Sequence, residues 1–415
     1  MSDANPVLIG LDVGTTGTKA VAFDLAGAEI AANICPTPTT HLGNGRAEHD
    51  PEALWLTAAG VLRDVCAQLN ALNATPIALG CSSMAEAGVL LDAHGTPTYP
   101  IIPWFDVRTT PQIEWWNQEI GSDQTAAISG VVPHPMFGLP KLMWIRDNEP
   151  EAFAAGRRWL NIADYIEYRL CGSMSTDYSL ASRTLVLDLV NKQWSGALLE
   201  AVGIDDSLLA ELRPAGSHIG DVHDVAAGQT ALPVGLPVGR GGQDHVCAAY
   251  GLDITEPGMI LDSIGTAEAF FAVRSAPDMT GRLWPDELNQ GVHVAPDLFY
   301  VMTGTGDGAG RIDAHREALG VEFDSYLQAA QEPGPEREMI ESLAIDGQLL
   351  FEKMAAAAAP QPVRHIATGG GARIALLMQR KRELGGRRIE TSDVKESTCK
   401  GAARLAGDAI GVPLG

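Results

Sequence analysis

The stretch Val7-Leu8-Ile9-Gly10-Leu11-Asp12-Val13-Gly14-Thr15-Thr16-Gly17-Thr18-Lys19-Ala20-Val21-Ala22-Phe23-Asp24 decides the fold. An apolar strand ends near an Asp, a Gly-Thr-Thr-Gly turn follows, and a second apolar strand leaves it. The second half opens on the same pattern: Gly258-Met259-Ile260-Leu261-Asp262-Ser263-Ile264-Gly265-Thr266-Ala267-Glu268-Ala269-Phe270-Phe271-Ala272-Val273. Each stretch predicts a β-hairpin whose tight turn exposes backbone N–H groups and Thr hydroxyls, good donors for phosphate oxygens. Two such devices, one per half, imply two related domains gripping a polyphosphate in the cleft between them.

Composition agrees with a two-domain enzyme. The 415 residues exceed what one core usually serves. No apolar run reaches transmembrane length, and the start lacks the basic and apolar regions of a signal peptide. Cys35, Cys66, Cys81, Cys171, Cys247 and Cys399 stand singly, as reduced cytoplasmic thiols do. The net charge of −23 excludes nucleic acid and anionic membrane as expected partners. A nucleotide remains compatible with it if Mg²⁺ and local cations such as Lys19 offset the repulsion. The ten histidines show no metal-ligand spacing.

Helix and strand signals alternate along the chain, which favours α/β domains with central sheets. Asp50-Pro51 starts a helix running to about residue 72. Strands are expected over 77–82, 88–92, 238–242 and 364–368, and helices over 141–148, 164–170, 339–359 and after Thr398. The segment 251–258, with Pro257, is the expected hinge. The 304–308 glycine run reads as a loop, because no acidic partner follows it in a βαβ context. The 14–19 turn is not a Walker A loop, because no Gly precedes Lys19 and no Ser or Thr follows it.

In order along the chain, these motifs resemble the FGGY carbohydrate kinases. They are the Asp12 loop, Trp104-Phe105-Asp106-Val107-Arg108, Pro140-Lys141-Leu142-Met143-Trp144, Asp164-Tyr165 and Thr176-Asp177-Tyr178-Ser179-Leu180-Ala181-Ser182. Gly241-Gly242-Gln243-Asp244-His245, Ser263-Ile264-Gly265-Thr266, Gly369-Gly370-Gly371-Ala372-Arg373 and Gly401-Ala402-Ala403 complete the set. The resemblance implies two ribonuclease H-like (actin-like ATPase) α/β domains with an interdomain cleft. The first would span 1–250, with the sugar site and catalytic base; the second, 251–415, would complete the nucleotide site.

It also implies roles. Asp12 is expected to hold Mg²⁺ through water, with Asp244 as the second metal contact. Gly14, Thr15, Thr16 and Lys19 would face the ATP phosphates, Gly265 and Thr266 would clamp them, and Gly370, Gly371 and Ala372 would carry the adenosine. Asp244 is expected to be the catalytic base. Glu86, Trp104, Asp106 and Asp244 are the expected substrate contacts, since burying polyol hydroxyls demands matching acceptors. Plain structural readings stand beside these: a turn Asp for Asp12, a helix N-cap for Asp244, core packing for Trp104. Arg108 is expected to pair with a neighbouring carboxylate rather than touch substrate.

Departures from the family pattern narrow the substrate. Ala85 and Met136 stand where glycerol kinases carry a glycerol-binding Arg and Tyr, so glycerol is expected to be a poor substrate. Met84 and Glu86 replace the Gln and His of a xylulose kinase segment, and Ile374 replaces a small polar residue. Relative to the family the chain is short between Gln331 and Arg337 and beyond Gly415. The expectation is therefore an ATP- and Mg²⁺-dependent cytoplasmic kinase of a small sugar, a ketose such as a pentulose, or a polyol. No membrane or nucleic-acid partner is expected, and a homodimer is left open. The alternatives are an impaired relative that senses sugar or nucleotide, and an actin- or Hsp70-like ATPase; Trp104, Asp106 and Asp244 favour the kinase.

Overall fold

The computed structural model describes residues 5–286, 288–306, 308–357 and 362–415. It divides into two compact units: Met1–Gly251 with Gly291–Pro296 and Glu396–Gly415, and Leu252–Gln290 with Asp297–Lys395. The first unit thus reclaims the end of the chain, which a single cut at residue 250 does not capture.

Its sheet is built from β1 (Asn5–Val13), β2 (Gly17–Asp24), β3 (Glu29–Pro36), β4 (Ala74–Ser83), β5 (His218–Asp221) and β6 (Pro237–Gln243), in the order β5-β6-β4-β1-β2-β3. β1, β4 and β6 run parallel, while β2 and β3 extend the β1 hairpin antiparallel. Successive side chains of β1 alternate faces. Val7, Ile9, Leu11 and Val13 pack with Leu54, Trp55 and Leu62 of the helix Pro51–Ala71. Leu8 turns the other way, against Cys399, Ala403 and Ala406 of the C-terminal helix Ser397–Ile410. A second cluster in this unit gathers Leu90, Trp116, Phe137, Leu142 and Trp159.

The C-terminal helix lies so close to the sheet that side chains are excluded beneath it. A Cβ on Gly10 would fall 1.8 Å from the Cys399 carbonyl oxygen, and one on Gly80 would fall 2.1 Å from that of Ala402. Both obstacles are backbone and cannot swing aside.

The second unit repeats the hairpin arrangement. β7 (Met259–Ile264) and β8 (Glu268–Arg274) form the hairpin, β9 (Phe299–Thr305) pairs antiparallel with β8, and β10 (Arg364–Thr368) pairs parallel with β7. β11 (Glu390–Thr391) continues beyond β10. The order β10-β7-β8-β9 therefore matches β4-β1-β2-β3, as expected of two copies of one device. Phe270, Val301 and Met354 fill one core cluster; Ile264, Tyr326, Ile340 and Leu377 fill another.

The expected strands and helices are present, with shifted ends. The helix expected from 339 starts earlier, as Pro335–Ala357, while positions 358 and 359 and Asp307 of the glycine run lie outside the described residues. Where the chain is short, the helix Phe323–Ala329 leads directly into Pro335–Ala357, and Tyr326 and Ala330 share a core with Ile340, Leu343 and Ala344. The join is closed by packing.

The Gly10 contact makes a direct prediction. Gly10→Ala should lose about 1–3 kcal/mol or more in denaturant unfolding, the range for overpacking. Gly60→Ala, inside a helix with nothing within 4 Å of its new methyl, should instead gain up to about 1 kcal/mol.

Candidate active site

Three parallel strands of the first unit end level with one another. Val13 of β1 and Gln243 of β6 both pair with Ser83 of β4. The residues that follow, Gly14, Met84 and Asp244, consequently leave the sheet side by side at its carboxyl edge. Open α/β sheets bind ligands at that edge.

Asp12 lies just inside this edge, opposite Ser82 of β4 and Lys19 of β2 in the strand registers. It is buried, and its Oδ1 accepts from Ser82 Oγ at 3.1 Å. Burial, and next the negative charge of Asp244, raise its carboxyl to about 7. Two carboxylates that disfavour each other's charge are suited to a shared cation. Lys19 is a partial counterion, since its Nζ bonds Glu396 at 2.9 Å. Burial alone would lower Lys19; the Glu396 hydrogen bond and charge outweigh it and raise it. Among the described residues no group of three or more His, Cys, Asp or Glu could hold a metal. The donors fit Mg²⁺, which keeps several waters and takes one or two carboxylates plus phosphate oxygens.

The turn after Asp12 closes through the Gly14 amide on Gly17 O at 3.1 Å, and Thr37 Oγ1 braces Gly14 O at 2.7 Å. Thr16 is exposed and Thr15 partly so. Trp104 Nε1 donates to Thr15 Oγ1 at 2.9 Å, tying the aromatic directly to the turn.

Asp244 opens the helix Asp244–Gly251. Its Oδ1 accepts from Gln243 Nε2 at 2.8 Å and from the His245 amide at 2.7 Å, and it lies 2.8 Å from His245 Nδ1. All its hydrogen bonds among the described residues thus fall on one oxygen. Burial would lower His245, but Asp244 and, less strongly, Glu86 raise it, so these three groups share one electrostatic neighbourhood. Glu86 follows β4 with φ +62, in the left-handed region, and is ion-paired to the buried Arg183. A non-glycine residue held there is strained, and such strain clusters at functional sites. Arg183 Nη2 also reaches Met136 Sδ at 4.0 Å. A cation therefore stands beside Met136 although Ala85 supplies none.

Asp106 behaves differently from the other expected substrate contacts. Its two oxygens accept from the Ala47 amide at 2.7 Å and from Arg108 through its amide and two guanidinium nitrogens at 2.8–2.9 Å. Burial works to raise it, but the Arg108 and Ala47 hydrogen bonds prevail and lower it. Arg108 also pairs with Glu48 at 2.8 Å, the carboxylate partnership expected of it.

Beneath Asp244 lies a network that the sequence reading missed. Arg240 of β6 is fully buried and bonds Asp164, Glu167 and Ser175. Glu167 accepts the Gly241 amide at 3.0 Å, and Ser179 Oγ accepts the Gln243 amide at 2.9 Å. Asp164 and Ser179 belong to quoted motifs; Arg240 and Arg183 adjoin them, which is the signal available.

In the second unit, Gly265 and Thr266 form the hairpin turn, with Gly265 N on Ala267 O at 2.9 Å. Ala309 N and Gly308 N donate to Gly265 O and Thr266 O at 2.8 Å. The glycine run lies against the same turn: a Cβ on Gly371 would come 2.3 Å from Ile264, and Gly369 takes φ +90. Gly370 is exposed, while Gly371 and Ala372 are buried. Below the turn, Lys381 Nζ binds Asp262 at 2.6 Å and also Glu268, stapling both hairpin strands.

Comparison with known proteins identifies the family. The N-terminal domain of the FGGY family of carbohydrate kinases matches residues 7–251. The chain belongs to the FGGY family. It is 30% identical to a xylulose kinase of Streptomyces rubiginosus over 97% of this chain and 87% of that one. It is 32% identical to the L-fuculokinase of Escherichia coli (strain K12) over 65% of this chain, and 27% identical to a Lactococcus lactis xylulose kinase over 80%. Those two matches span 57% and 66% of the relatives' own lengths. A ligand-bound xylulose kinase from Lactobacillus acidophilus shares the fold, with a TM-score of 0.89 at 20% identity over 98% of this chain and 90% of that one. The FGGY fold has two actin-like ATPase domains, as the family resemblance implied.

The buried network carries the prediction for this site. Removing the cation in Arg240→Met leaves two buried carboxylates uncompensated and should cost about 3–5 kcal/mol. Arg240→Lys, which keeps the charge, should lose less; denaturant unfolding of both variants measures the difference.

Proposed function

We propose that this chain transfers the γ-phosphoryl group of ATP to a hydroxyl of a small sugar, a ketose such as a pentulose, or a polyol. Family membership supports the reaction class, and the relatives' names (xylulose kinase, L-fuculokinase) support the substrate class. The observation that carries the reading is the convergence of Asp12, the 14–17 turn, Glu86 and Asp244 at one sheet edge.

The proposed division of labour follows from their chemistry. Asp244 takes the proton of the attacking hydroxyl through Oδ2, while Gln243 and His245 hold Oδ1 and fix the carboxylate's orientation. Glu86, with Arg183 beside it, accepts and orients further hydroxyls, and Trp104 offers its ring to the sugar carbons. Asp106 contributes by pinning Arg108 and the short strand Arg46–Glu48 through Ala47, because its oxygens already hold four hydrogen bonds. Gly14, Thr15 and Thr16 meet phosphate from the first unit; Gly265 and Thr266, with Gly370, Gly371 and Ala372, provide for nucleotide from the second. Mg²⁺ held at Asp12, with Asp244 beside it, would neutralise phosphate charge during transfer. Among the described residues no helix is long and apolar enough to cross a membrane, and all six cysteines are free, which supports a cytoplasmic setting.

ATP turnover should be slow alone and rise with the right sugar, because base, hydroxyl and phosphate must all be in place. A coupled assay over ketoses and polyols checks this, and pentuloses should exceed glycerol. Fast turnover indifferent to every sugar would instead favour an ATPase. Asp244→Asn should reduce sugar-dependent turnover roughly 10²–10⁴-fold with sugar binding retained.

A further inference from the structure

A cavity of about 370 Å³ opens in the first unit, lined by none of the residues assigned above to sugar, phosphate or metal. Its polar lining comes from Arg158, Ser173, Ser175, Glu211 and Arg213. Two guanidiniums therefore face one carboxylate, in a chain whose net charge is −23. Glu211 is engaged with Arg213 at 3.0 Å, but both side chains are largely exposed, so the pair is weak and readily rearranged.

The hydrogen bonds at the cavity show which groups can donate to a ligand. Arg240, a permanent cation, donates to Ser175 Oγ, so that oxygen is an acceptor there. Ser173 Oγ lies 2.8 Å from Ser175 Oγ, and either hydroxyl can donate to the other. When Ser175 donates to Ser173, the Ser173 hydroxyl keeps its own proton for a ligand oxygen. Arg158 donates through Nη1 to Leu209 O and is the second arginine of the lining.

We propose that this cavity binds a small phosphate monoester. A tetrahedral phosphate presents oxygens in several directions, which suits two guanidiniums and a hydroxyl set around a cavity better than a flat carboxylate does. Met174 and Ile219 supply the apolar walls for the ester's carbons. The volume falls in the range of small-molecule sites. The proposal does not depend on the kinase reading.

Inorganic phosphate is the probe, titrated into the full chain and followed by thermal shift and ³¹P line broadening, with acetate as the carboxylate comparison. Wild type should bind phosphate saturably and more tightly than acetate. Ser173→Ala and Arg213→Ala, at positions exposed enough to spare the fold, should each weaken binding about tenfold or more, the worth of a charge-assisted contact. Arg158→Gln should do the same where circular dichroism shows it folded. Binding unchanged in Ser173→Ala and Arg213→Ala would put the phosphate elsewhere, for instance at the 14–17 turn, and overturn the proposal. So would a wild type that binds no phosphate saturably, or one that binds acetate equally well.

Discussion

The close seating of the C-terminal helix on the backbone of β1 and β4 is the constraint on which the first unit depends. Gly10 and Gly80 permit it, Gly401 repeats it against Cys247 of the helix that Asp244 opens, and Gly251 meets Ser397. The last residues of the chain thus brace three elements that carry candidate active-site groups. Glu396, just before this helix, supplies the partner of Lys19. Position at the sheet edge is therefore set by backbone-to-backbone contact, which relaxes less than side-chain packing does.

Buried charge is the second organising element, and four buried cations are tied to segments near expected ligand groups. Arg240 lies within the strand leading to Asp244, Arg183 beside Glu86, Arg108 on Asp106, and Lys381 bridges the two strands of the second hairpin. Such pairs contribute little net stability compared with apolar residues, because desolvating the ions offsets their attraction. Their value here is directional: each fixes a turn or strand end by hydrogen bonds of defined geometry.

Much of this was legible in the sequence because the informative signals are local. The Asp-Gly-Thr hairpins, the glycines before Gln243-Asp244, and the alternation of strands and helices each occupy a few consecutive residues, and each was found in place. What escaped depends on long-range pairing. The Arg240 network joins residues 164, 167, 175 and 240, and the Lys19–Glu396 bond spans most of the chain. Asp106 shows the same limit at short range: an Asp two residues before an Arg does not reveal that both carboxylate oxygens are already engaged. The return of the C-terminal helix to the first unit was hidden for a further reason. Its small residues Gly401, Ala402 and Ala403 indicate close packing without naming the surface they pack on.

The central claim is that Asp244 faces the hydroxyl to be phosphorylated. A crystal structure of the protein with a bound ketose tests it most directly. The account predicts one sugar hydroxyl within hydrogen-bond reach of Asp244, about 2.6–3.2 Å, with Glu86 on another hydroxyl of the same molecule. A sugar bound with no hydroxyl near Asp244 would contradict it.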